Sequence, residues 1–159
     1  MLLETSYREP GSTPHRETSI DHGDLVVAVS VPPPPGGGRS AYLKVRERAS
    51  YEFALVSVAA SVALHGEVIG EARVTLDGVA TRPWRAHQTE AMLAGVALDD
   101  RAAMREAASA AFAEARPLRD NSFKIDLGTR AIVRALRQAS SAVRAFRAWP
   151  YWLLAARCR

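Results

Sequence analysis

Apolar and polar positions alternate with a period of two along the first half of the chain, and with a helical period along the second. Over Asp24–Pro32, Leu25, Val27, Val29 and Val31 fall on one side and Val26, Ala28 and Ser30 on the other, which predicts a first strand. Pro32–Pro35 and Gly36–Gly38 follow as a hard stop and a flexible connection. Over Tyr42–Arg48, Leu43 and Val45 alternate with Tyr42, Lys44, Arg46 and Arg48. Alternate strand residues point to opposite faces, so one face carries a ring and three cations. A third strand is predicted from about Phe53 to Leu64. There Val56, Val58, Val62 and Leu64 share a parity with Ala60, opposite the small Ser57, Ala59, Ser61 and Ala63. His65–Gly66 supplies a tight reversal. A fourth strand runs from about Glu67 to Val79, with Val68, Ala72, Val74 and Leu76 against Glu71, Arg73, Thr75 and Asp77. The last two strands form a half-buried antiparallel hairpin.

After Pro83, Trp84 and Arg85 the period changes. Trp84 reads as a lid on the core. A short helix is predicted over His87–Ala94, stopped by Gly95. A longer one starts after Asp99 as its cap. Its stripe is Met104, Ala107, Ala108, Ala111, Phe112 and Ala115, with Pro117 beyond its end. Small alanines there favour helix and allow close packing on a sheet. The last helix follows Phe123 and Lys124, with Asp126 as cap and Ile132, Val133, Leu136, Val143 and Phe146 in helical period. Arg130, Arg134, Arg137, Arg144 and Arg147 lie mostly off that stripe, as a solvated face does. Strands first and helices afterwards predict an α+β fold: a mostly antiparallel sheet of three to four strands, followed by about three helices packed on one face. Met1–His22, broken by Pro10, Gly11 and Pro14, is expected to be a connecting arm, with no helical or strand period over Met1–Tyr7.

Composition narrows the function classes. At 159 residues and 48% hydrophobic content, one domain with a real core is expected, with room for a short extra piece. The formal charge of +4 permits an anionic partner without selecting one. Cys158 is the single cysteine, so no internal disulfide or cysteine cluster is possible. His15, His22, His65 and His87 are scattered, with none of the i, i+4 spacing of a metal pair. No metal is expected in this chain. The glycine run lacks phosphate-loop spacing and precedes a strand, so it reads as a plain linker. No basic region followed by an apolar run opens the chain, so no signal peptide is expected. Trp149–Ala156 is too short to span a bilayer, and a cytoplasmic location is expected by default. The alternating cations of Tyr42–Arg48 lead straight into a core strand, which suits a site on a rigid scaffold. They also describe a solvated edge strand guarded by charge, the simpler account of the pattern alone.

Four blocks carry a resemblance. Ala41–Ala60 (AYLKVRERASYEFALVSVAA) resembles the C-terminal domain of the FAD-binding subunit of molybdenum hydroxylases, the xanthine dehydrogenase, aldehyde oxidoreductase and carbon monoxide dehydrogenase family. Pro10–Pro14 with Gly23–Pro32, Ala72–Ala86 (ARVTLDGVATRPWRA) and Asp120–Arg137 (DNSFKIDLGTRAIVRALR) agree in order and spacing. The resemblance covers roughly residues 5–138. It implies an α+β sandwich that closes over part of a flavin held mainly by a larger N-terminal domain. By motif position Lys44 matches the family lysine that contacts FAD, and Val26 an apolar residue lying against the cofactor. Arg46 and Arg48 are further candidates. The implied organisation is an arm over 1–22, the domain over 23–138 and an atypical helical tail over 139–159, which does not resemble the family's usual ending. Asp77 departs from the pattern, standing where a glycine or small residue is expected before Gly78. No stretch supplies phosphate-cradling glycine loops, so FAD is expected only together with an N-terminal FAD domain outside this sequence.

The implied partners are that FAD-binding domain or subunit, a molybdenum-cofactor subunit and an iron–sulfur subunit, with no nucleic acid and no membrane. The implied role is to position flavin for electron transfer from iron–sulfur centres to an acceptor. No acid, base or nucleophile set stands out, so the chain alone is not expected to be a catalyst. Two other readings stay open: a flavin-free interaction module, and a weak basic nucleic-acid binder.

Overall fold

A computed structural model describes residues 3–31 and 38–141. After a single helical turn, α1 (Leu3–Ser6), come β1 (Arg39–Val45), β2 (Val56–His65), β3 (Val68–Asp77) and β4 (Trp84–Arg85). The helices α2 (His87–Leu93), α3 (Arg101–Ala110) and α4 (Phe123–Ser141) follow. The four strands form one antiparallel sheet in the order β1-β2-β3-β4. The fold is therefore α+β as expected, with strand ends shifted by up to three residues.

The core lies between one sheet face and the helices. Val56, Val58, Ala60 and Val62 of β2 and Ala72, Val74 and Leu76 of β3 are buried together. Val58 pairs with Leu76 and Ala60 with Val74, so the apolar parities of the two strands match. α4 covers β1 and β2, α2 covers β3, and α3 lies against both helices. Ala107, Ala108 and Ala111 meet Ala131, Ala135 and Ala139 in the same core, where small side chains let the layers approach. Gly128 of α4 shows how close: a Cβ there would sit 2.3 Å from Cζ of Phe112.

The β2–β3 hairpin turns at Gly66, whose φ of 65° suits glycine. Beyond the turn the alternation of β3 breaks. Ladder pairing jumps from Ala63–Glu71 to Leu64–Ile69, leaving Gly70 as an extra residue. This β-bulge reverses the parity at the start of β3. Ile69 is fully buried and Val68 is exposed, the opposite of the expectation for Val68. The exposed His65 imidazole lies over Gly70, 2.9 Å from where a Cβ would stand, so a larger residue there would have to displace that ring.

Other expectations are corrected. Residues 24–31 form no strand: they carry no ladder pairing and stay exposed, because no described strand lies beside them. Met1–Tyr7 was expected to be irregular, yet residues 3–6 make a helical turn and Tyr7 bridges Thr18. The cap of α3 is Asp100, not Asp99: its side chain accepts from the Ala103 N–H at 2.9 Å. Asp126 lies inside the first turn of α4, where it pairs with Arg105 and Arg130 across exposed surface. Ala115 lies beyond α3 and is exposed. Val143, Phe146, Arg144, Arg147 and most of the tail lie outside the described residues.

Candidate functional site

The face of the sheet opposite the helices is open. In β1, Ala41, Leu43 and Val45 turn toward the core while Ser40, Tyr42 and Lys44 turn outward. Pairing then sets rows across this outer face. Lys44 lies opposite Ser57, which lies opposite Asp77. Tyr42 lies opposite Ala59, which faces Thr75, which faces Arg85. The centre of the face is floored by Ala59, Ser61 and Ala63 of β2, while Ser57, in the row of Lys44, is buried. The short side chains of that floor leave a shallow trough between the taller residues of β1 and β3. Tyr42 raises a ring 66% exposed at its rim, and Lys44 is exposed beside it. Among the described residues Lys44 has no carboxylate within ion-pair distance. An unpaired ammonium next to an aromatic face and a flat, small-residue floor can receive a planar, polar-edged group.

The remaining candidates are not gathered there. Arg46 and Arg48 are exposed beyond the end of β1, in the connection to β2, so the strand alternation does not extend to them. Val26 sits in the exposed extended segment, and no strand pairing joins it to the sheet. The structure thus brings Lys44 and Tyr42 together and leaves Val26, Arg46 and Arg48 apart from that pair.

Sequence reasoning missed the lock beneath β3. Glu90, in the first turn of α2, is largely buried. Its Oε1 accepts from the Val74 N–H at 2.8 Å and from Arg85 Nε at 3.1 Å, and its Oε2 accepts from Arg85 Nη2 at 3.1 Å. One carboxylate therefore ties α2, β3 and β4 together. The signal was an acidic residue at a helix start shortly after a strand arginine, too common a pattern to single out. On the same flank a depression of about 280 Å³ is lined by Arg82, Trp84, Arg85, His87, Gln88 and Glu114, among others. Its arginines are already engaged, Arg85 by Glu90 and Arg82 by Glu9 at 2.9 Å. Trp84 packs half-buried against the core, the lid position expected of it, with the Arg82 guanidinium 6.0 Å from its ring centre.

The described residues contain no group of three or more His, Cys, Asp or Glu arranged to hold a metal ion, and no helix long and apolar enough to cross a membrane. The arginines of α4 behave as a solvated face, exposed at positions 130, 134 and 137, with Arg130 paired to Asp126.

Comparison with known proteins bears on this arrangement. The chain is 44% identical over 139 residues to the aldehyde oxidoreductase FAD-binding subunit PaoB of Escherichia coli, covering 87% of this chain and 40% of that protein. It is 30% identical over 122 residues to the carbon monoxide dehydrogenase medium chain of Afipia carboxidovorans, covering 77% of this chain and 42% of that protein. The fold matches a chain of the reconstituted CO dehydrogenase from Oligotropha carboxidovorans with a TM-score of 0.71 and 26% identity, over 80% of this chain and 46% of that one. The chain thus spans about two fifths of these curated relatives. The family model of the CO dehydrogenase flavoprotein C-terminal domain matches residues 41–139, which hold all of the sheet and packed helices except the first two residues of β1 and the last two of α4, and the chain belongs to that family.

Proposed function

We propose that this chain is the flavin-covering C-terminal domain of an FAD-binding subunit in a molybdenum hydroxylase-type oxidoreductase. The observation that carries the reading is the unpaired Lys44 beside Tyr42 on the open, small-floored sheet face of a domain from a flavoprotein family. Residues 23–138 act as the domain, 1–22 as the arm toward an FAD domain, and 139–159 as an added tail. The partners are that FAD domain, an iron–sulfur subunit and a molybdenum-cofactor subunit, and the setting is cytoplasmic.

The described residues fit one end of FAD and not the other. The trough suits a planar ring with polar edges, whereas no glycine-rich loop at a helix start is present to cradle a diphosphate. FAD, when held by the neighbouring domain, supplies the electron transfer chemistry. Lys44 would donate to a polar atom of the flavin, and its positive charge would favour added negative charge there. Tyr42 walls the trough, and the outer face of β2 lets the ring approach. Val26 contributes an apolar contact from the extended segment, and Arg46 and Arg48 add positive potential at the rim.

The experiment joins this chain behind the flavin portion of PaoB and compares wild type with Lys44→Ala. A charge-assisted hydrogen bond contributes about 1.5–3 kcal/mol, so flavin retention is expected to weaken roughly 10- to 100-fold, or the flavin potential to fall. Folding should change by no more than about 0.5 kcal/mol, as for other surface changes. The unjoined chain should purify colourless. Equal flavin affinity and potential in the wild type and Lys44→Ala would remove Lys44 from the site.

A further inference from the structure

Residues 25–31, Leu-Val-Val-Ala-Val-Ser-Val, contain no charge, no glycine and no proline. In the structure Leu25, Val26, Val27, Val29 and Val31 are 60–87% exposed. Among the described residues no backbone hydrogen bond reaches positions 25–31; the last before them runs from the Asp24 N–H to the Asp21 carbonyl. β-branched residues on both faces are the composition of a strand inside a sheet, not of a solvated loop. Natural sheets guard exposed edges with charge. The real edge strand here, β1, follows that rule with Arg39 and Lys44. Residues 25–31 do not, so water is not the surroundings for which their composition is suited.

The segment is also held on its upstream side. Upstream, the arm folds on itself through the Tyr7–Thr18 bridge and the Arg8–Glu17 and Ser19–Ser6 backbone bonds, each 2.9 Å. Glu9 clasps Arg82 of the folded domain at 2.9 Å. Downstream, β1 begins at Arg39. Anchoring a segment to a folded domain lowers the entropy lost when a partner binds it.

We propose that residues 24–31 add as a strand to an open sheet edge of the flavin-binding partner, so that the two pieces share one sheet. The inference rests on the reading above, in which such a partner exists. The relatives support the size of this occupant: about three fifths of PaoB and of the carbon monoxide dehydrogenase medium chain has no counterpart in this chain. Backbone pairing supplies the affinity, and the alternating valines set the register.

The test compares amide hydrogen exchange in the full chain alone and in the full chain fused behind the unmatched portion of PaoB. Exchange at Val26–Val31 should slow by about 100-fold or more in the fusion, as in a stable ladder, and be unprotected in the chain alone. Joint replacement Val27→Pro and Val29→Pro removes two N–H donors. It should abolish the slowing in the fusion while leaving the melting of the unfused chain unchanged. A fusion that holds flavin while residues 25–31 exchange freely overturns the strand inference and leaves the flavin reading intact. A fusion that protects the segment but holds no flavin does the reverse. Protection in the unfused chain that grows with its concentration assigns the segment to a second copy, and likewise overturns the proposal.

Discussion

Replacing Glu90 by alanine removes the carboxylate that hydrogen-bonds α2 to both β3 and β4. The Val74 N–H is the group most affected. It belongs to a fully buried residue, and the carboxylate it donates to, 2.8 Å away, is itself largely buried. An orphaned buried donor costs about 1–3 kcal/mol. The ion pair to Arg85 adds less, because the arginine side chain is 38% exposed and the charges are screened; such pairs contribute no more than about 1 kcal/mol. Glu90→Ala should therefore destabilise the chain by about 3 kcal/mol. For a domain of this size that corresponds to roughly 6–12 °C in melting temperature. Glu90→Gln keeps an oxygen for the Val74 N–H and gives up the charge, so it should cost about 1 kcal/mol or less. Thermal and urea unfolding followed by circular dichroism measures both. Hydrogen exchange at Val74 gives an independent readout, expected to accelerate in Glu90→Ala and not in Glu90→Gln. Equal losses from the two substitutions would refute the assignment of the larger share to the backbone donor.

Gly128→Ala sets a helix gain of about 1 kcal/mol against overpacking of about 1–3 kcal/mol from the Phe112 ring 2.3 Å away. It should destabilise wild type and become neutral or stabilising in a Phe112→Ala background, as read by a double-mutant cycle in urea. Asp100→Ala should cost about 1 kcal/mol through loss of the α3 cap, whereas Asp99→Ala should stay within about 0.5 kcal/mol; equal effects would mean that the bond to the Ala103 N–H is not what caps the helix.

Where the sequence was legible, one physical constraint acted alone. The β2–β3 hairpin could be read because its valines bury against helices on a single face, so parity and burial coincide from Val56 to Val62 and from Ala72 to Leu76. At Val68 and Ile69 two apolar residues compete for that face, and the bulge at Gly70 decides between them. The outcome is a matter of ladder register, with Glu71 opposite Ala63 and Ile69 opposite Leu64. Alternation alone carries no record of it. The cap of α3 shows the same limit on a smaller scale: Asp99 and Asp100 are chemically identical caps, and only the helix bounds and the bond to the Ala103 N–H distinguish them.

The candidate site divides along the same line. That Lys44 and Tyr42 share a face was legible because a strand places alternate residues on one face, and β1 is a true strand at both positions. Arg46 and Arg48 fit the same alternation in the sequence, but the strand ends at Val45, and past that point shared parity no longer means a shared face. The valines of residues 25–31 are the inverse case. Their pattern is that of a strand as good as β2, yet they lie unpaired. A periodic pattern specifies which face of a segment is to be buried; it does not specify the surface that buries it. For β2 that surface is supplied by α4 and β3 of the same chain. For residues 25–31 no described part of the chain supplies it, so the alternation there is information about a neighbour, written in the sequence of this domain.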